Sequence, residues 1–207
     1  MMKKASLLLV LQFSATLLLF GNEADSARSW ITGKEQWSEL EAGRAILIDS
    51  SISSKENGDS HSATAALLVD AAPDVVRTVV EDGDKAAGFQ ESLVSSEIID
   101  RTGSVTLVRQ IAKVGLHKVG YVVRQTAENP QLMNFELVDG DLKSMSGFWR
   151  FLPVPSEEGT RTLLVYRLSL EPNAPIPGFL VRRSIAICLP QTLVAVRNET
   201  LRRAESS

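Results

Sequence analysis

The sequence predicts an α+β fold in which a curved antiparallel sheet wraps around one long C-terminal helix, with two short helices after the first strands. Three observations predict it. From residue 94 to residue 171 the hydrophobic period stays at two, broken only by short turns marked by Gly, Asn and Pro, so consecutive strands pair antiparallel. A single long helical pattern over 178–204 closes the chain. The composition, 44% hydrophobic and 23% charged over 207 residues, is that of one folded domain, so sheet and helix must share a core.

The elements follow in order. Met1, Met2, Lys3 and Lys4 precede an apolar run over 5–21 that is interrupted only by Gln12, Ser14 and Thr16. A basic head on such a run is a secretory signal peptide, and the run is shorter than the roughly 20 residues a membrane span needs. Ala24 and Ala27 are the cleavage candidates, although Asn22 and Asp25 stand where a peptidase prefers a small residue. The expected organisation is a signal peptide over 1–27, a linker with a short helix over 28–43 and one domain over 44–207. The expected location is outside the cytoplasm, periplasmic or secreted. Trp30, Ile31, Trp37 and Leu40 give the short helix its apolar stripe, and Gly43 stops it.

Two β-rich runs, 44–52 and 62–71, flank an Asn57-Gly58 hairpin signal. Ala72-Pro73-Asp74 then opens a helix with Val75, Val76, Val79 and Val80 as its stripe, ending at Asp82-Gly83. A second short helix is expected over 85–89. Six strands follow at 94–101, 104–113, 116–127, 131–139, 143–152 and 160–171. Pro172, Pro175 and Pro177 punctuate the loop before the long helix, in which Pro190 removes one backbone hydrogen bond and is expected to kink it.

Composition also excludes functions. A net charge of −3 offers no basic surface to nucleic acid. One cysteine forms no internal disulfide, and two histidines cannot build a Cys/His zinc cluster. No Ser-His-Asp order, phosphate-cradling Gly loop or metal-ligand spacing is present, so neither a catalytic residue nor a cofactor is expected. His61 at a hairpin edge and His117 after a turn read as structural or solvated residues. Cys188 reads as a packing thiol, and Asp82 and Asp84 as helix caps.

Three stretches carry a family likeness: Val69-Asp70-Ala71-Ala72-Pro73-Asp74-Val75-Val76, Gly140-Asp141-Leu142-Lys143 leading into Gly147-Phe148-Trp149, and Leu163-Leu164-Val165-Tyr166-Arg167-Leu168 followed by Phe179-Leu180-Val181-Arg182-Arg183. In this order and spacing the chain from 63 to 203 resembles the START-like SRPBCC superfamily, which includes polyketide cyclase/dehydrase and coenzyme-Q-binding START-domain proteins. The resemblance implies a helix-grip fold with a hydrophobic cavity for a lipid, quinone, sterol or polyketide-like molecule. It fixes no catalytic set, because the superfamily holds both enzymes and carriers.

Alternation within the strands supplies the candidate lining. Tyr121, Met133, Phe135, Met145, Trp149, Leu164 and Tyr166 fall on inward-facing positions, each able to serve as plain packing but collectively rich in adaptable and polar-tipped side chains. Arg109, a cation in the row Val105, Leu107 and Ile111, is a candidate head-group contact. So are Arg182 and Arg183 of the terminal region, where five arginines of 172–207 stand against two glutamates. The expected function is an exported, monomeric carrier of a hydrophobic small molecule, with possible contact to a membrane surface. The alternative is a cyclase/aromatase-type enzyme using the same cavity.

Overall fold

The structure, a computed structural model, describes residues 27–55, 58–114, 117–157, 159–173 and 176–206. The expected leader therefore lies outside the described residues up to residue 26, as do Asn57 of the hairpin signal and Pro175. After a helical turn at 27–30 come α1 (Lys34–Glu41), β1 (Ile46–Lys55), β2 (Gly58–Val69), α2 (Pro73–Glu81) and a 3-10 turn (Gly83–Gly88). Strands β3 (Leu93–Thr102), β4 (Val105–Val114), β5 (His117–Asn129), β6 (Leu132–Gly140), β7 (Leu142–Ser156) and β8 (Gly159–Pro172) precede α3 (Gly178–Ala204).

The eight strands form one antiparallel sheet in the order β1-β2-β8-β7-β6-β5-β4-β3. From β3 to β8 each strand pairs with the next in sequence. Helix α2 and the 3-10 turn carry the chain from β2 across to the far wing. This is the sheet-and-helix architecture that the period pattern predicts. The second short helix forms as a 3-10 turn, and α3 runs unbroken through Pro190. Strand β7 extends four residues beyond the expected end and includes Pro153 and Pro155. It can do so because its pairing with β6 ends at Arg150, so no partner there needs their missing N–H groups.

The inner core lies between α3 and one half of the sheet. Val181, Ile185, Leu189, Leu193 and Val196 recur every three to four residues along α3 and pack on Ala63, Ala65, Leu67 and Val69 of β2 and on Leu164 and Leu168 of β8. The two alanines let the helix approach β2 closely. Val76, Val79 and Val80 of α2 close the same core at one end.

The other face of this half is also buried. Ala27, Ile31 and Leu40 pack on Ala66, Leu68, Leu152, Leu163 and Val165. Strand β2 thus reads as a continuous apolar run because both its faces are covered. Polar ties hold the outer layer: the Trp37 indole N–H donates to the Ile31 carbonyl at 3.0 Å, and both Arg161 Nη atoms donate to Glu41 at 2.7 and 2.8 Å. Arg197 of α3 reaches around the edge to donate to the Gly43 carbonyl at 2.7 Å.

The far end of α3 is pinned by charge. Arg202 and Arg203 donate to the Glu199 carboxylate, and Arg203 also meets Asp82 at 3.0 Å, tying the helix to the 3-10 turn. These hydrogen bonds, led by that of Arg202, hold the Glu199 carboxyl at about 2 against an ordinary value of 4.5.

Two measurements test this account. Ile31→Ala should lower unfolding stability in urea by about 2–5 kcal/mol, because Ile31 is fully enclosed; a change near zero would show that the outer layer is undocked. Glu199 should contribute stability that is complete above about pH 4.5 and is lost as the pH falls toward 2, so Glu199→Gln should flatten that acid limb of the stability curve.

Candidate functional site

Register sets the inner face as rows running across the strands. Ala65, Tyr166, Trp149 and Met133 are successive partners on β2, β8, β7 and β6; Ala63, Leu168, Gly147 and Phe135 form the next row, and His61, Leu170 and Met145 the one after. Packing loosens along this series. On β8, Leu164 is 0% exposed, Leu168 7%, and Leu170 is half-buried; on β7, Phe151 and Trp149 are buried while Met145 is half-buried. On β7 and β8 the packing is therefore tight at the α2 end and opens toward the start of α3.

Glycine at 147 permits this surface. A Cβ there would fall 2.5 Å from Phe135 Cζ and 2.0 Å from the Arg167 carbonyl oxygen, so only Gly lets the Phe135 ring lie across β7. Trp149 stacks on Tyr166 with ring centroids 3.9 Å apart and planes 6° from parallel, and Phe135 tilts against Tyr166 at 6.0 Å. Met145 bridges this cluster to a second inner-face cluster of Val108, Tyr121 and Val123 on the far wing. The 3-10 turn caps that wing, with Gly83 placed so that a Cβ would meet Ile98 at 3.0 Å and Val108 at 3.2 Å.

Tyr121 and Tyr166 approach Cys188 of α3. Burial, and secondarily that thiol, raises the pKa of both phenols well above the ordinary range. Both are therefore neutral hydroxyls at any physiological pH. Neither hydroxyl has a hydrogen-bond partner among the described residues. Tyr166 is deep in the protein yet keeps open surface. Cys188, expected as a packing thiol, is half-buried, with Sγ 3.9 Å from Thr192 Oγ1.

The structure thus divides the sequence-derived candidates. Met133, Phe135, Trp149 and Leu164 belong to the packed inner core, Tyr121 is 9% exposed on the far wing, and Met145 and Tyr166 sit where packing loosens. Arg109 requires a correction. Register pairs it with Glu97 and Val122 on the outer face, where it donates to Glu97 at 3.3 Å, because the inward positions of β4 are Val108 and its even-numbered neighbours. Arg109 therefore cannot meet a ligand held inside.

Of the basic residues counted toward the terminal helix, Arg197, Arg202 and Arg203 are engaged as described above. Arg182 and Arg183 are exposed and have no carboxylate partner among the described residues. Beside them Phe179 is 60% exposed and Leu180, Ile187 and Ile176 are also exposed. His61 is the residue that sequence reading passed over. It is 3% exposed and shares its parity with Ala63 and Ala65, which places it on the inner face; that parity was available in the sequence.

Two clefts open on the surface, the larger of them on the inner face at the α2 end. One of about 520 Å³ sits between α2 and the tips of the β3-β4 and β5-β6 turns, lined by Arg77, Arg101, Gln125 and Met133 among others. A groove of about 470 Å³ crosses the outer face along Arg124, Asn134, Phe148 and Arg167. Among the described residues no group of three His, Cys, Asp or Glu side chains is placed to hold a metal ion.

A curved sheet gripping one helix, with an apolar inner face that opens at one end, defines a helix-grip protein of the START-like class. The chain belongs to the polyketide cyclase/dehydrase and lipid transport family, whose sequence profile matches residues 69–196, more than half of it. Among solved structures it is similar to TTHA0849 of Thermus thermophilus, at 26% identity and a TM-score of 0.61 over 70% of this chain and 99% of that one. The fold is shared with a Streptomyces aromatase/cyclase, Zhui, at 20% identity and a TM-score of 0.58 over 70% of this chain and 96% of that one. It is also shared with a STAR-related lipid transfer protein of Xanthomonas axonopodis, at 17% identity and a TM-score of 0.58 over 73% of this chain and 98% of that one. No curated protein sequence matches the chain.

Proposed function

We propose that the protein binds and carries a hydrophobic small molecule, a lipid, quinone or similar, between the first half of α3 and the inner face of the sheet. The observation that carries this reading is the graded opening of that face. Apolar side chains of β7 and β8 that are sealed at the α2 end give way to half-open Met145, Tyr166 and Leu170, and the Tyr166 hydroxyl there is neutral and has no protein partner among the described residues. A chain that removes roughly 400 Å² of apolar surface from water gains about 10 kcal/mol, against association costs of order 4–15 kcal/mol, so useful affinity needs no ion pair. The lipid transfer named for the Xanthomonas neighbour supports the same reading.

The carrier reading extends to location and delivery. The basic head and apolar run over 1–21 support export. Cleavage after Ala24 would retain Ala27, whose side chain is part of the outer core, whereas cleavage after Ala27 would remove it. The exposed apolar residues Ile176, Phe179, Leu180 and Ile187, with Arg182 and Arg183 beside them, form a surface suited to an anionic bilayer. Helix α3 is long and apolar enough by composition to cross a membrane, but Leu189, Leu193 and Val196 hold its second half on the sheet, leaving only the first half for such contact.

Titration with a long-chain fatty acid or a short-chain ubiquinone should change the intrinsic fluorescence, and Trp149→Phe should abolish the change while Trp30 and Trp37 remain. No response to a fatty acid, a sterol or a quinone would overturn the carrier reading. Co-sedimentation should be stronger with phosphatidylglycerol vesicles than with phosphatidylcholine vesicles, and Phe179→Glu should remove most of it. Equal binding by the variant would exclude this face.

A further inference from the structure

We propose that His61 fixes the head group of the carried molecule, and that this head group is a hydroxyl; the inference rests on the carrier reading and deepens it. His61 is 97% enclosed, and its Nδ1 atom is sealed from solvent with no hydrogen-bond partner. Nε2 also has no hydrogen-bond partner among the described residues but is not sealed, so it is the nitrogen that a ligand can reach.

Arg150 and Arg161 also bury an Nε atom without a partner, but Arg161 is paired with Glu41 through its Nη atoms and Arg150 lies over the Trp30 and Phe148 rings. The buried polar residues other than His61 are each engaged. Thr162 donates to the Ala71 carbonyl at 2.7 Å, Thr200 to the Val196 carbonyl at 2.8 Å, and Thr64 to Asp49 at 3.2 Å. Glu199 takes the two arginines, Glu171 takes Lys143, and Thr192 meets the Cys188 thiol. His61 stands apart from this set, and packing alone gives no reason for an imidazole where Ala63 and Ala65 continue the same row of β2.

Its position identifies what it meets. Register places His61 opposite Leu170, and Leu170 opposite Met145, in the inner-face row where the packing loosens toward the start of α3. A ligand chain lying over the half-open Tyr166, Met145 and Leu170 ends beside the imidazole. The partners of this row are apolar, so a charged head would be desolvated there with no opposite charge. A neutral imidazole offers one N–H and one acceptor nitrogen. A hydroxyl can donate to the acceptor nitrogen or accept from the N–H, whereas an ether or ester oxygen can only accept. A hydroxyl is a neutral head group able to meet whichever imidazole nitrogen faces it, which points to a long-chain or ring alcohol.

The test compares 1-dodecanol with dodecyl methyl ether, which differ only in that donor. The native protein should bind both, with the alcohol tighter. His61→Phe should weaken the alcohol about threefold to tenfold and leave the ether unchanged. An equal loss for both probes would mean either packing or an N–H donated to both oxygens, and would overturn the assignment of a hydroxyl. In a second arm, ¹⁵N signals of the imidazole are followed in His117→Gln, which leaves His61 as the single histidine of the chain. These signals should move on adding 1-dodecanol but not the ether, an outcome that does not depend on the folding of the His61 variant. If both probes bind and the imidazole signals stay still, the head-group inference fails and the carrier reading stands. If neither probe binds the native protein, the carrier reading fails first.

Discussion

One helix has to cover the inner face of an eight-stranded sheet, and it is too narrow to do so. A helix with its side chains is about 10–12 Å across, and eight strands at about 4.8 Å spacing span roughly 33 Å. Curling the sheet brings the wings inward but cannot bring every row into contact with α3. The protein resolves the mismatch unevenly. Small residues on β2 seat the helix on one half of the sheet, α2 and the 3-10 turn plug one end, and the far wing packs its own cluster around Val108 and Val123. What is left over is the region between the two clusters, at the open end, where Met145 touches both.

The half of the sheet that carries the helix needs a second layer. With α3 on one side, β2 and β8 still present Ala66, Leu68, Leu163 and Val165 on the other. The segment from Ala27 to Glu41 supplies that cover and is held by Arg161 and Arg197, one from the sheet and one from the helix. Residues that read as a linker in the sequence are thus a structural layer. A rigid half of this kind lets the opposite end stay loosely packed without endangering the fold.

Much of this was legible in the sequence, because period-two alternation and a single long helical pattern are direct consequences of burying one face. The inward parity of Tyr166, Trp149 and Phe135 follows from the same rule and matches the rows that the register forms. Arg109 shows where the rule stops. Alternation gives two sets of positions on β4 but not which set faces in, and Val105, Leu107 and Ile111 made the wrong face look apolar. Only pairing with β5, which puts Val108 opposite Val123, decides it. The terminal helix shows a different limit: its charge count was read correctly, but three of its five arginines are spent inside the protein, Arg197 and Arg203 on distant segments and Arg202 on Glu199 of the same helix. His61 was missed because a lone histidine near a hairpin looks like a solvated edge, and its enclosure depends on β8 and α3 arriving from far along the chain.

The two phenols on the inner face share one property that bears on chemistry. Tyr121 and Tyr166 are held neutral by burial, and the side chains that face them most closely are a thiol and aromatic rings rather than carboxylates or ammonium groups. A site of this kind can orient a ligand by hydrogen bonds. General acid–base work needs a group that exchanges a proton near the working pH, and a phenol raised well above its ordinary range does so poorly. In the proposed carrier, binding would draw on apolar area for affinity and on fixed neutral donors and acceptors for selectivity. That division suits a carrier, which must release its cargo unchanged: apolar burial can be exchanged for a bilayer at almost no cost, whereas a buried ion pair would have to be broken.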